Sequence, residues 1–298
     1  MKTKTLLGFF LLSVMTFCMS ACQDDAEIIL FSGSQLINEP GTCTNTISST
    51  TLYLNGRGTE DIGIANGKGG YSAHSSDETI VTATVSNDRL LINSHGKKGK
   101  VTVTVSDKKG NSVVLPVTVS YGVISLFCRE QTGFVVSVND ELLSTGKDEN
   151  KELLESVNEV MMQKYSFIKG QEVCILQPDD VDNFMADGNG SFILKTENGE
   201  IRAEGTYQVG HDDDLIIDKQ CVTFTFSYKD ADNADRQHKF YLEPSFKRTP
   251  STKSVGPTMI CWMEDVTDTS YLTEISLPEN GKVLYVVFTS SFRIRPAE

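Results

Sequence analysis

Hydrophobic and polar positions alternate along most of the chain, with the period of two expected of strands that bury one face. Between residues 49 and 121 the alternating segments are short and are separated by turn residues. The valines of KVTVTV (100–105) alternate with threonine, and a second alternating run, 113–119, follows the turn residues 107–111. The pattern predicts a hairpin within about seven short strands, which is typical of a β-sandwich.

Residues 122–298 continue the alternation in a longer series of segments, with Asn198-Gly199 as a hairpin turn signal. One stretch, 147–165, instead has apolar residues at helical spacing, and we predict a helix there that packs on a sheet. Its apolar stripe is Leu153, Val157, Val160, Met161 and Tyr165. The segment near 282–294 is apolar on both faces and is predicted to be a central strand.

The predicted fold class is mainly β: an N-terminal Ig-like β-sandwich followed by a β-rich α+β domain, an antiparallel meander or barrel-like sheet with one helix. The predicted organisation is a signal peptide over 1–21, a lipid-anchored tether over 22–48, a sandwich over 49–121 and a β-rich domain over 122–298.

The N-terminus has the pattern of a secretory signal. Lys2 and Lys4 precede an apolar run of 13 residues, 5–17. A permanent membrane-spanning helix needs about 20 apolar residues, so the run predicts a signal peptide.

Met19-Ser20-Ala21-Cys22 follow this run. These four residues resemble the lipobox of bacterial lipoproteins. The resemblance implies a diacylglycerol on the Cys22 thiol and attachment to a membrane; stable anchoring takes more than one acyl chain. The following QDDAE (23–27) resembles the acidic export signals of surface lipoproteins in gut Gram-negative anaerobes. This implies an outer-membrane lipoprotein at the cell surface. The alternatives are a periplasm-facing anchor, and an ordinary signal with an incidental cysteine.

The run from 69 to 119 resembles bacterial Ig-like domains of the Big type, through SSDETIVTATV, the Gly-Lys turn, the valine-threonine strand and DKKGN. The resemblance implies a spacer or adhesion module without a catalytic site. Residues 191–226 resemble the meander of lipocalin-like barrels. An α+β sandwich with the helix on one face is the alternative.

The formal net charge of −13 argues against nucleic-acid binding, which needs a basic surface. Once Cys18 and Cys22 are set aside, five cysteines remain without the CxxC spacing of zinc sites. We interpret them as small buried side chains and leave their disulfide pairing open: Cys43, Cys128, Cys174, Cys221 and Cys261.

No GxSxG, HExxH, P-loop or GxGxxG motif is present, so we predict a non-enzymatic protein without a cofactor. The irregular segment 243–268 contains the only tryptophan, Trp262, near Phe246, Lys247 and Arg248. Indole faces stack on sugar rings, so these four residues are candidates for ligand binding. The alternative is that Trp262 is a half-buried residue with a packing role.

Asp230, Asp232 and Asp235 lie in a predicted hairpin loop, where spaced carboxylates can hold Ca²⁺. They lack the EF-hand frame, and we expect a solvated turn instead of a metal site.

Together these observations predict a surface-exposed lipoprotein that binds a glycan or a protein partner. One alternative is a surface hydrolase with dispersed carboxylates. Another is a fimbria-associated structural lipoprotein.

Overall fold

A computed structural model describes eleven stretches of the chain, and all structural statements refer to them. They are residues 27–37, 44–129, 133–139, 141–143, 148–165, 167–213, 215, 220–243, 259–267, 272 and 275–297. The chain divides into two compact units: the first runs to Leu52 and resumes over Gly58–Val119, and the second contains Tyr53–Arg57 and the residues from Ser120 onward. Both units are mainly β, as the alternation predicted.

The first unit is a β-sandwich of two four-stranded sheets, ordered β1–β3–β6–β5 and β2–β8–β7–β4. With β1 and β2 taken as two parts of strand A, these are the ABED and GFC sheets of an immunoglobulin-like sandwich. The predicted Ig-like sandwich is thereby confirmed. The strands are β1 (Ile29–Phe31), β2 (Thr50–Tyr53), β3 (Thr59–Ala65), β4 (Ser72–Ser75), β5 (Val81–Ser86), β6 (Arg89–Ser94), β7 (Gly99–Ser106) and β8 (Ser112–Ser120).

The predicted hairpin of the first unit is present as β7 and β8. Val103 lies opposite Leu115 in the antiparallel pair, and both are fully buried. The predicted tether over 22–48 needs a correction, since Ile29–Phe31 within it forms strand β1 against β3. The apolar run IILF explains this, because Leu30 and Phe31 are buried in the sandwich.

The second unit contains one eleven-stranded sheet and two helices. Its strands are β9 (Gly122–Phe127), β10 (Gly133–Val138), β11 (Glu141–Leu142), β12 (Val173–Pro178), β13 (Asn189–Lys195), β14 (Ile201–Asp213), β15 (Gln220–Lys229), β16 (Asp235–Glu243), β17 (Met259–Asp265), β18 (Gly281–Ser290) and β19 (Ile294–Pro296). Its helices are α1 (Asp148–Lys164) and α2 (Phe184–Asp187).

The strand order is β11–β10–β18–β17–β16–β15–β14–β13–β12–β9–β19, so β12 to β18 form the predicted antiparallel meander. The described strands do not close into a barrel. One isolated bridge, Cys128 to Thr289, links the end of β9 to β18. The turn at Asn198-Gly199 joins β13 and β14 as predicted, with Gly199 at a φ of 84°, which favours glycine.

Helix α1 occupies nearly the predicted stretch and packs its apolar face into the core of the second unit. Val157, Met161 and Tyr165 are buried as predicted. The stripe is shifted slightly, because Leu154 is buried while Val160 is only half-buried. Met162, in contrast, is 53% exposed.

The interior of the second unit is filled by side chains. The inward residues of β9, β10 and β12–β18 join those of α1 in one core cluster. Its largest fully buried members are aromatic: Phe167, Phe192, Phe224, Phe226, Phe240 and Tyr285. A cavity beside Leu126 and Phe226 has a volume of only about 10 Å³, the space of one water molecule at most. This cavity, which the described residues enclose, is too small for a lipocalin-type ligand.

Asp107 accepts hydrogen bonds in the β7–β8 turn, and its titration makes the stability of the first unit depend on pH. Burial alone would raise its pKa, but hydrogen bonds from the Asn111 side chain and the amides of Lys68, Lys109 and Asn111 lower it from 3.8 to about 2. The stabilisation from these hydrogen bonds is therefore present above the unfolded-state pKa and is lost as pH falls through about 2.

We predict that Asp107→Asn lowers the melting temperature of the first unit near neutral pH, and that its difference from wild type shrinks as pH falls from about 4 to about 2. Scanning calorimetry of the full chain across this range measures it. Glu78→Gln, which removes an exposed carboxylate, is the control and should produce no such convergence. A difference for Asp107→Asn that is independent of pH would contradict the assignment.

Candidate functional site

A row of neutral polar side chains crosses the outer face of five neighbouring strands, β12 to β16. Gln177 lies directly opposite Ser191, and Ser191 lies opposite Thr206. Thr206 in turn lies opposite Ser227, and Ser227 lies opposite Gln237. Since residues paired across strands point to the same face, these five side chains form one continuous line, the polar row.

Strand alternation fixes the polar row on the outside of the sheet. The residues next to it in sequence, including Leu176, Phe192 and Phe226, point inward and belong to the core. Four side chains of the polar row are exposed, and that of Ser227 is half-buried. Gln237 Nε2 donates a hydrogen bond to Ser227 Oγ at 3.3 Å.

A second, shorter row runs beside the first: Asn189 lies opposite Gln208, and Gln208 lies opposite Thr225. The two rows line an open depression of about 460 Å³, the polar depression, together with Gly190, Tyr207 and Asp179. Asp179 is the one carboxylate in this lining. The depression therefore presents amide and hydroxyl groups, each of which both donates and accepts hydrogen bonds.

A further depression of about 700 Å³ adjoins the polar depression and shares Thr206, Ser227 and Gln237 with it. Its additional lining includes the charged side chains of Glu204, Lys229, Asp235 and Arg236, and three of them form ion pairs. Lys229 Nζ lies 3.0 Å from Asp235, and Arg236 Nε lies 2.6 Å from Asp230. The polar depression, with Asp179 as its one charged residue, thus differs from this charged neighbour.

Tyr207 is the one core residue with a hydroxyl group among those that line the polar depression. The residue is 2% exposed, and its hydroxyl has no hydrogen-bond partner among the described residues. Burial, followed by the negative charge of Asp179, raises the pKa of Tyr207, so its phenol stays protonated. A buried hydroxyl without a partner carries a desolvation cost, which a ligand oxygen at this point would offset.

Gly190 makes the position of the Tyr207 ring possible. The two residues are directly paired across β13 and β14. A Cβ at position 190 would lie 2.3 Å from the Gln177 backbone oxygen and 2.8 Å from Tyr207 Cε1. Only glycine leaves room for the ring beside the depression.

The structure places Trp262 in the core, and the prediction of an exposed glycan platform at this residue needs correction. Trp262 is 2% exposed and packs against Phe224, with ring centroids 4.9 Å apart. Its Nε1 donates a 2.8 Å hydrogen bond to Thr289 Oγ1. Inward alternation on β17 explains the burial. Phe246, Lys247 and Arg248 lie outside the described residues, as does Cys22.

The three candidate aspartates occupy the turn between β15 and β16 and do not converge. Asp230 accepts hydrogen bonds from the amides of Ala234 and Asp232 and from Arg236, which lower its pKa. Asp235 instead pairs with Lys229. Among the described residues, no three His, Cys, Asp or Glu side chains are grouped so as to hold a metal ion.

A buried polar cluster fixes the end of α1 to the sheet. The Tyr165 hydroxyl donates to Glu264 Oε2, and His238 Nδ1 lies 2.9 Å from Glu264 Oε1. His238 stacks on Phe167, with centroids 4.3 Å apart. Burial, and then the Glu264 charge, raises the pKa of Tyr165. The groups bind one another, and we interpret the cluster as structural.

Four of the five cysteines left open by the sequence are buried thiols, Cys128, Cys174, Cys221 and Cys261; Cys43 lies outside the described residues. Burial raises the pKa of Cys128 to about 12. Burial also raises the pKa of Cys174. The thiolate, which is the nucleophilic form, is therefore disfavoured at both positions.

No protein-family model matches the chain, and no curated protein sequence matches it significantly. The candidate site is therefore argued from its geometry alone.

The structural role of Trp262 is testable through its partner. We predict that Thr289→Val, which leaves the buried indole N–H unpaired, lowers the free energy of unfolding by about 1–3 kcal/mol. Urea unfolding followed by fluorescence of this single tryptophan measures the loss. Thr289→Ser keeps the hydroxyl and should cost about 1 kcal/mol or less, for the lost methyl group. Equal effects of the two substitutions would contradict the role of the hydrogen bond.

Proposed function

We propose that the protein is a non-enzymatic binding protein that recognises an uncharged glycan through the polar depression on its second unit. The observation that carries the proposal is the paired arrangement of Gln177, Ser191, Thr206, Ser227 and Gln237, beside the partnerless buried hydroxyl of Tyr207.

The chemistry of the depression favours a ligand rich in hydroxyl groups. Amides and hydroxyls both donate and accept, so they match sugar hydroxyls in either role. A phosphate-rich ligand would meet no cation in the polar depression, and the net charge of −13 opposes it further. An apolar ligand would leave the glutamines without partners.

We further propose that the protein is an outer-membrane lipoprotein held by lipid on Cys22 and displayed at the cell surface. The lipobox-like residues 19–22 and the acidic residues that follow support this. No helix of the described stretches is both long and apolar enough to cross a membrane. In this proposal the first unit, related to bacterial Ig-like domains, serves as a spacer.

Tyr207→Phe separates a binding role from a structural one. Because the hydroxyl has no internal partner, we predict an unchanged or slightly higher free energy of unfolding and about threefold to tenfold weaker glycan binding. Affinity electrophoresis of the full-length chain in detergent, through gels containing neutral polysaccharides, measures binding; urea titration measures stability.

Tyr285→Phe is the matched control for this prediction. The Tyr285 hydroxyl is buried and donates to the Ile168 carbonyl in the interior. Its removal should cost about 1–3 kcal/mol of unfolding free energy and leave binding unchanged. If Tyr207→Phe also destabilised the fold while binding stayed intact, its role would be structural and the proposed site wrong.

Lipidation at Cys22 is tested separately. We predict that the chain expressed in a Gram-negative bacterium incorporates labelled palmitate, and that Cys22→Ala abolishes the label. Mass spectrometry of the mature N-terminus would confirm the modified residue. Cys43→Ala, the nearest cysteine that follows, is the control and should keep the label. An unlabelled wild-type chain would exclude the anchor without bearing on the glycan site.

A further inference from the structure

We infer that the ligand is an extended, unbranched, uncharged oligomer that lies along the polar row and crosses the strands, rather than a single sugar. The inference rests on the proposed glycan-binding function and specifies the class of ligand. Its starting point is the register of β12 to β16, which aligns Gln177 at one end of the row with Gln237 at the other.

The length of the row sets the length of the ligand. Neighbouring strands lie about 4.8 Å apart, so the four steps from Gln177 to Gln237 span about 19 Å. A single sugar covers only a part of this distance. A chain that crosses all five strands can exchange hydrogen bonds with every residue of the row at once.

The side chains also form a pattern along the row. The two glutamines, which have the longest reach, stand at the ends, and the short side chains of Ser191, Thr206 and Ser227 lie between them. Long amides at both ends of a line of short hydroxyls leave a shallow trough above the centre. The neighbouring row of Asn189, Gln208 and Thr225 borders one side of this trough.

Charge and shape favour an uncharged chain over the other polymers that could lie there. The row contains no charged side chain, so an acidic polysaccharide gains no ion pair from it. A peptide strand binds sheets by pairing with an edge, and the three middle strands of the row, β13 to β15, have a neighbour on both sides. A neutral sugar chain needs only the amide and hydroxyl groups that the face offers.

The test measures how the binding affinity depends on the length of the ligand and on the two end residues of the row. The full-length chain in detergent is first screened against neutral polysaccharides, with polygalacturonate as the acidic comparison. Fragments of the polysaccharide that binds best, beginning with its single sugar, are then titrated by calorimetry. We expect affinity to rise with fragment length until the fragment reaches about 19 Å, and then to level off.

The end residues provide the second readout. Gln177→Ala and Gln237→Ala should each weaken binding of the long fragment about threefold to tenfold. The double variant should show the product of the two effects, since the sites are too far apart to interact. Gln163→Ala, an exposed glutamine on α1, is the matched control and should bind like wild type.

The outcomes distinguish the extended ligand from the proposed glycan-binding function on which it rests. If no neutral polysaccharide binds, both fail. If a single sugar binds as tightly as the longest fragment, or if either end substitution has no effect on the long fragment, the glycan site stands and the extended ligand is wrong. Binding of polygalacturonate that equals that of the neutral polymers would also overturn the inference.

Discussion

The second unit depends on the packing of aromatic side chains inside its sheet. Phe192, Phe224, Phe226, Phe240 and Trp262 point inward from four strands, β13, β15, β16 and β17, and form a chain of ring contacts. Each large apolar side chain buried in this way contributes about 1.5–3 kcal/mol. The same packing fills the interior and leaves a void no larger than a water molecule. Among the described residues, the larger depressions lie on the outer face of the sheet.

The inward packing also determines what the outside presents. Successive residues of a strand face opposite sides, so the inward Phe192, Tyr207 and Phe226 place Ser191, Thr206 and Ser227 outward. The antiparallel register then aligns these side chains across the strands. Tyr207 belongs to the core and is also among the residues that line the polar depression. The polar face is thus a consequence of the inward packing of the core.

The fold was predictable from the sequence where local patterns determine it. Period-two alternation predicted the sandwich and the meander, and the apolar stripe of 147–165 predicted α1. The polar row was not predictable, because Gln177 and Gln237 are 60 residues apart in sequence and only the register of five strands aligns them. Trp262 was a candidate for ligand binding because it is the only tryptophan of the chain. Its inward position on β17 places it in the core instead. Strand β18 was predicted to be central, and it lies between β10 and β17.

The position of a bound glycan is the most direct test of this account. A crystal structure of the full chain with a neutral oligosaccharide should show the ligand on the outer face of β12–β16, with one of its oxygens within hydrogen-bond distance of the Tyr207 hydroxyl. The side chains of Phe224 and Trp262 should remain packed as in the unliganded protein. A ligand found in the interior, with these side chains displaced, would contradict the account.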